Sequence, residues 1–195
     1  MEKLNGNKKL KISVFISGRG TNLKSIIKFS KNKNSPIKIE LVVSSNKNAK
    51  GLTFANKDKI KSLIINYKNK KKAEEKILIH LKKNKIDFIC LAGFMKVLSK
   101  KITKKYKNKI LNIHPSLLPK YKGLNTHRRV IQNKEKFTGC TVHLVNSKLD
   151  SGKIILQKKI KIFKKDNENT LAERVLKVEN QIYTKAIKKF IYTNL

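Results

Sequence analysis

The run Ile86-Asp87-Phe88-Ile89-Cys90-Leu91-Ala92-Gly93 is apolar at every position from Phe88 to Ala92. A strand without polar alternation needs cover on both faces, as in a parallel sheet flanked by helices. Lys11-Ile12-Ser13-Val14-Phe15-Ile16-Ser17 and the segment Ile37–Ser45 have the same β-branched, apolar character and read as further strands, with a short one at Ser62–Asn66. Between them the spacing changes. Leu23, Ile26 and Ile27 fall on one helical face, a helix is expected around Ala49–Lys59, and Lys70–Asn84 puts Ala73, Ile77, Leu78 and Leu81 together.

The second half continues with strands at Lys109–His114, Thr138–Val145 and Lys153–Gln157 and helices at Thr126–Asn133 and Asn169–Phe190. The last helix carries Leu171, Val175, Leu176, Val178, Ile182 and Ile187. Alternating elements without repeat, linker or composition break predict one α/β domain over residues 1–195. Its core should be a single open, mostly parallel, twisted sheet of about seven strands with helices on both faces and right-handed crossovers.

Ligands of such sheets sit outside the carboxyl ends of the strands. Three segments fall there. Gly18-Arg19-Gly20-Thr21-Asn22 follows the first strand and opens a helix, with Thr21 or Asn22 as the expected N-cap. A strand, glycine loop and helix start present backbone N–H groups and a positive helix end to a phosphate. A dinucleotide fingerprint fits poorly, because Leu23 stands where the third glycine belongs and Glu40 precedes its apolar run instead of ending it. A phosphate monoester fits better, and a plain strand-to-helix turn is the bland alternative.

Phe94-Met95-Lys96-Val97-Leu98 leaves the apolar strand as a largely apolar loop, readable as core packing or as the wall of a pocket for a flat aromatic ligand. Leu111-Asn112-Ile113-His114-Pro115-Ser116-Leu117-Leu118-Pro119 then puts an amide and an imidazole two residues apart at a strand end. Residues i and i+2 of a strand share a face, so Asn112 and His114 can converge on one point. A donor beside a proton-transfer group is what a tetrahedral intermediate needs. The same two residues could also satisfy loop backbone groups. His143 alternates with apolar neighbours and reads as a buried, hydrogen-bonded histidine, not a catalytic one.

The charge of +36 over 195 residues raises the question of nucleic acid. Only four of the 48 basic residues are arginine (Arg19, Arg128, Arg129, Arg174), whereas base readout and bidentate phosphate contacts favour Arg. The lysines run from end to end, with no basic stripe carrying interleaved aromatics. Abundant Lys, Asn and Ile share A/T-rich codons and point to compositional drift at tolerant surface positions. No specific nucleic-acid partner is expected, although such a surface attracts anions. No stretch is apolar and long enough to span a bilayer, and Met1–Lys9 lacks a signal-peptide core, so a cytoplasmic protein without a membrane partner is expected. Cys90 and Cys140 make no metal-ligand spacing and read as buried thiols, and no metal is expected.

In these segments the chain resembles the phosphoribosylglycinamide formyltransferases of the formyltransferase superfamily. The resemblance runs through Ile16–Leu23, Leu91–Met95, Leu111–Leu124, Thr126–Arg128, Val142-His143, Leu149–Gly152 and Ile154–Gln157. The Asn-x-His-x-Ser-Leu-Leu-Pro signature with a downstream Asp marks the superfamily, and the glycine loop followed by Thr-Asn selects this branch. The resemblance implies a Rossmann-like formyltransferase fold. It also implies direct transfer of a formyl group from the co-substrate 10-formyltetrahydrofolate to the amine of 5'-phosphoribosylglycinamide, in purine (IMP) biosynthesis.

By the same resemblance His114 is the general acid/base, Asn112 the oxyanion donor and Asp150 the carboxylate that supports a protonated His114. Gly18, Arg19, Gly20, Thr21 and Asn22 would hold the ribonucleotide phosphate, and Glu179 would contact the ribonucleotide. Met95, Lys96, Val97 and Leu98, with Lys70 and Asn112, would line the folate site. Lys70 and Lys96 stand where the family commonly has arginine, and a lysine makes no bidentate contact. The Leu118–Pro119 bond would be cis. The partners implied are small molecules, with the chain a monomer or weak homodimer. A formyltetrahydrofolate hydrolase would need an added N-terminal regulatory domain. A methionyl-tRNA formyltransferase would need an added C-terminal domain, and only the charge favours tRNA. A degenerate nucleotide-binding module is opposed by intact Asn112, His114 and Asp150.

Overall fold

The computed structural model describes residues 9–194. Residues 1–8, on which most of the signal-peptide reading falls, lie outside the described residues. Seven strands, β1 (Leu10–Ile16), β2 (Ile37–Ser44), β3 (Ser62–Ile64), β4 (Phe88–Leu91), β5 (Ile110–His114), β6 (Phe137–Leu144) and β7 (Ile154–Lys161), form one sheet in the order β3-β2-β1-β4-β5-β6-β7. The first five are parallel, and β6 and β7 each run antiparallel to the preceding strand. The open, mostly parallel α/β sheet expected from the sequence is therefore present.

Strand periodicity divides the core in two. Ile12, Val14 and Ile16 of β1, Phe88 and Cys90 of β4, and Leu111 and Ile113 of β5 face helices α1 (Thr21–Ser30), α2 (Gly51–Lys57), α5 (Thr126–Gln132) and α6 (Glu168–Asn194). Phe15, Ile89, Leu91 and Ile110 face the other way, onto α3 (Lys70–Lys83) and α4 (Lys100–Lys105). Burial on both faces is what the continuous apolar runs required. In β2 the phase slips: Ile12 pairs with Ile39 but Ser13 pairs with Leu41, leaving Glu40 as the extra residue of a bulge. The bulge lets Ile37, Ile39 and Val42 share one core despite their odd and even numbers.

Local differences from the sequence reading have physical causes. Helix α4 was not expected: Lys-Lys-Ile-Thr-Lys-Lys is too short and too charged for periodicity to register, and only Ile102 and Thr103 are buried. Strand β7 runs to Lys161 instead of stopping at Gln157, because an edge strand carries lysines on its exposed side. The N-cap of α1 is Gly20, in the left-handed region at φ 73°, not Thr21 or Asn22. A Cβ at Gly20 would lie 2.3 Å from the Cα of Gly51, so backbone closeness and positive φ both demand glycine there. Among the described residues no helix is long and apolar enough to cross a membrane. Both cysteines are buried and unpaired.

Candidate active site

The carboxyl edge of the sheet is stitched together where the strand order reverses, between β1 and β4. The Ser17 N–H donates to the Gly93 carbonyl at 3.0 Å, and the Met95 N–H donates to Ser17 Oγ at 2.9 Å. The glycine loop and the apolar loop thus share one anchor. The loop is further fixed by the Gly51 N–H, which donates to the Gly18 carbonyl at 3.0 Å. Gly18 and Arg19 are exposed, Thr21 is half-buried, and Asn22 is buried in the first turn of α1. The first N–H groups of a helix have no intrahelical acceptors, which is what an anion site at this turn would use.

Asn22 connects this loop to α6. Its Nδ2 donates to Glu179 Oε2 at 2.8 Å, and both side chains are buried. Among the described residues the Asn22 Oδ1 has no hydrogen-bond partner. Burial pushes the Glu179 carboxyl up to about 7, partly offset by the Asn22 hydrogen bond. The pair joins residues 157 apart in sequence.

Asn112 and His114 lie on one face of β5, as period 2 demands, on the side of Ile110 but beyond the end of the helical cover. His114 is 6% exposed. Its Nε2 donates to the Tyr121 carbonyl at 2.8 Å, while its Nδ1 lies 3.4 Å from Asp150 Oδ2. One ring nitrogen is thus committed to a backbone carbonyl and the other faces a carboxylate. Asp150 is held by the Gly123 N–H, which donates to Oδ2 at 2.9 Å, and its backbone is left-handed at φ 44°. Gly152 follows so closely on β6 that a Cβ would lie 1.7 Å from the Leu144 carbonyl oxygen. That contact fixes where the loop after Leu144 must turn back.

His143 is a neighbour of the Asn112–His114 pair that the sequence reading did not place beside it. It is buried and hydrogen-bonded, as expected, but its partner is Asn112: the amide Nδ2 donates to His143 Nε2 at 3.2 Å. The His143 Nδ1–H donates to the Leu144 carbonyl at 2.9 Å. Burial lowers the tendency of His143 to take a proton, outweighing the opposing effects of that carbonyl and of Asp150. The ring is thus a neutral acceptor with a defined tautomer. Asp150 Oδ1 is 3.7 Å from His143 Nε2, too far for a hydrogen bond. The sequence signal was that Val142-His143 lies within the matched segments, and the structure adds the register, which sets His143 directly opposite Asn112 in the β5–β6 pair.

The turn after β5 contains a cis Leu118–Pro119 bond. Thr141 on β6 pins it, donating to the Ser116 carbonyl at 2.6 Å and accepting from the Leu118 N–H at 3.1 Å. Along the rim Met95 and Val97 are 65% and 64% exposed, Lys96 and Lys70 are exposed, and Leu98 is buried beneath. Lys70 opens α3, capped by the Asn69 side chain. Two cavities of about 310 and 220 Å3 lie elsewhere, one lined by Ile27, Lys31 and Asp58 and the other by Val130, Glu135 and Phe137.

Comparison with known proteins gives the family and supports the fold. The family described as formyl transferase matches residues 10–187. The phosphoribosylglycinamide formyltransferase of Haemophilus influenzae is 43% identical over 183 residues, covering 92% of this chain and 86% of that protein. The human trifunctional purine biosynthetic protein adenosine-3 is 40% identical over 184 residues, but the chain spans only 18% of its length. The crystal structure of phosphoribosylglycinamide formyltransferase from Brucella melitensis superposes with a TM-score of 0.89 at 39% identity, covering 94% of this chain and 96% of that one. With its sheet order and its family match over nearly the whole chain, this protein belongs to the formyl transferase family.

Proposed function

We propose that the chain is a single-domain phosphoribosylglycinamide formyltransferase that moves the formyl group of 10-formyltetrahydrofolate onto the amine of 5'-phosphoribosylglycinamide. The observation that carries this reading is the convergence of Asp150 on His114, beside Asn112, at the carboxyl edge of the sheet. The family membership and the similarly named bacterial relatives support the same substrates.

In this reading the glycinamide amine attacks the formyl carbon. The charge that develops on the formyl oxygen meets the second N–H of Asn112, with His114 beside it as the proton-transfer group. Asp150 offsets the positive charge on His114 while the amine loses a proton and N10 of the folate gains one as its bond to carbon breaks. His143 holds the Asn112 amide in one orientation. The first-turn N–H groups after Gly20, with Arg19, Thr21 and Asn22, receive the ribonucleotide phosphate. Glu179 faces the ribonucleotide. Exposed Met95 and Val97 over buried Leu98 suit a flat pterin ring, and Lys70 and Lys96 supply cations at the rim for an anionic folate.

The deciding experiment offers purified protein and 10-formyltetrahydrofolate two acceptors, glycinamide ribonucleotide and charged initiator tRNA. Formylation of the ribonucleotide is expected. Transfer to tRNA alone would overturn the substrate assignment.

A further inference from the structure

The segment that follows the cis bond holds three left-handed residues, Tyr121 at φ 56°, Gly123 at φ 77° and Asn125 at φ 55°. For a residue as bulky as Tyr121 this conformation is strained, and it persists only where neighbours impose it. The strained segment serves the site with backbone groups. The Tyr121 carbonyl accepts from His114 Nε2 at 2.8 Å, and the Gly123 N–H donates to Asp150 Oδ2 at 2.9 Å.

Arg129, on α5, grips this segment. Its Nη1 donates to the Lys122 carbonyl at 2.7 Å and, more weakly, to the Leu124 carbonyl at 3.4 Å. Those two carbonyls flank Gly123. The same guanidinium lies 5.2 Å from the centre of the Tyr121 ring. A planar guanidinium can hold carbonyls in its plane and present its face to a ring at once, which an ammonium cannot. The next residue, Val130, is buried against the core, so the arginine stands on a fixed base.

We infer that Arg129, by gripping the carbonyls on either side of Gly123, positions the two backbone groups that hold His114 and Asp150. It is a positioning residue, and the inference rests on the roles given above to His114 and Asp150. A separate tether fixes the Tyr121 ring: its hydroxyl donates to Glu135 Oε1 at 2.9 Å and accepts from Asn133 Nδ2 at 3.0 Å. That tether does not reach residues 122–124. The tether holds the ring and not the backbone, so loss of Arg129 loosens the Tyr121 carbonyl and the Gly123 N–H together while the ring stays anchored.

The test uses the full chain labelled with 15N-histidine, as wild type, Arg129→Ala and Arg129→Lys. The His114 Nε2–H, held by the Tyr121 carbonyl, is read by its exchange with water. The His143 Nδ1–H, held by Leu144 within the sheet, is the internal reference. Arg129→Ala is expected to speed exchange at His114 about tenfold relative to His143, with Arg129→Lys intermediate, and to lower kcat about tenfold with KM changed less than about twofold. Wild-type exchange at His114 in Arg129→Ala overturns the inference. Where Arg129→Ala loses both resonances, Arg129→Lys decides on the same criterion. The exchange measurement needs no turnover, so a wild-type protein without formyl transfer sinks the proposed function and still leaves the positioning role measured.

Discussion

Asn112 and His143 face each other across the β5–β6 pair, and the Asn112 amide donates to His143 Nε2 at 3.2 Å. One of the two amide N–H groups is thereby committed, which sets the direction of the other. An oxyanion donor works only if it is aimed before the charge develops. With Asn112 in the oxyanion role proposed above, the neutral, buried histidine is what aims it.

Replacing His143 by leucine removes the acceptor and keeps much of the volume. The His143→Leu variant should lose about 10- to 100-fold in kcat for formyl transfer while KM for both substrates stays within about threefold. Steady-state kinetics check this, with circular dichroism as the control for folding. An unchanged kcat would remove His143 from the account.

Asp150 tests the charge facing His114. Asparagine tolerates the left-handed backbone at φ 44° and still offers an oxygen to the Gly123 N–H, so Asp150→Asn should fold. Without the carboxylate, kcat/KM should fall by about two to four orders of magnitude, as should that of His114→Ala. Wild-type turnover by either variant contradicts the assigned roles.

Gly20 tests the phosphate loop. A methyl group there meets Gly51 Cα at 2.3 Å and must also accept φ 73°, so the loop and α2 have to separate. Gly20→Ala should destabilise the fold by about 1–3 kcal/mol and raise KM for the phosphorylated substrate more than KM for the folate. Urea titration and the two KM values give the answer, and equal changes in both would argue against phosphate binding at this loop.

Glu179 carries a pH prediction. Burial raises its carboxyl to about 7, so between the ordinary carboxylate range and pH 7 the folded protein keeps a proton that the unfolded chain has lost. The stability contributed by this group is present at low pH and is lost as pH rises through about 7. Glu179→Gln should abolish that fall, gaining up to about 3 kcal/mol over wild type at pH 8 and little at pH 4. Denaturant unfolding at the two pH values measures it. A wild-type-like decline in the variant would place the titration elsewhere.

The +36 charge should also show in salt dependence. Lysine self-repulsion destabilises the compact state and is screened over about 10 Å at 0.1 M salt. The thermal midpoint should rise between 20 mM and 500 mM sodium chloride, conditions chosen to span that screening range. A flat or falling midpoint would mean that the lysines are too dispersed to matter.

Local patterns were legible because their physics is local. Unbroken apolar runs called for a sheet covered on both faces, and period 2 put Asn112 and His114 on one face of β5. The Gly18–Asn22 loop and the Met95–Leu98 loop followed strands, so their place at the carboxyl rim could be read from chain order. Tertiary structure decided what these residues meet. Asp150 reaches His114 across 36 positions, because Gly152 lies against Leu144 and a left-handed backbone turns the carboxylate inward. Pairing with β6 made His143 the partner of Asn112, and only an antiparallel register could choose it. The Glu40 bulge, the short α4 and the Asn22–Glu179 bond likewise depend on surfaces far apart in sequence. Spacing along one strand is set by backbone geometry, whereas contacts between strands and loops are set by how the whole sheet closes over its two cores.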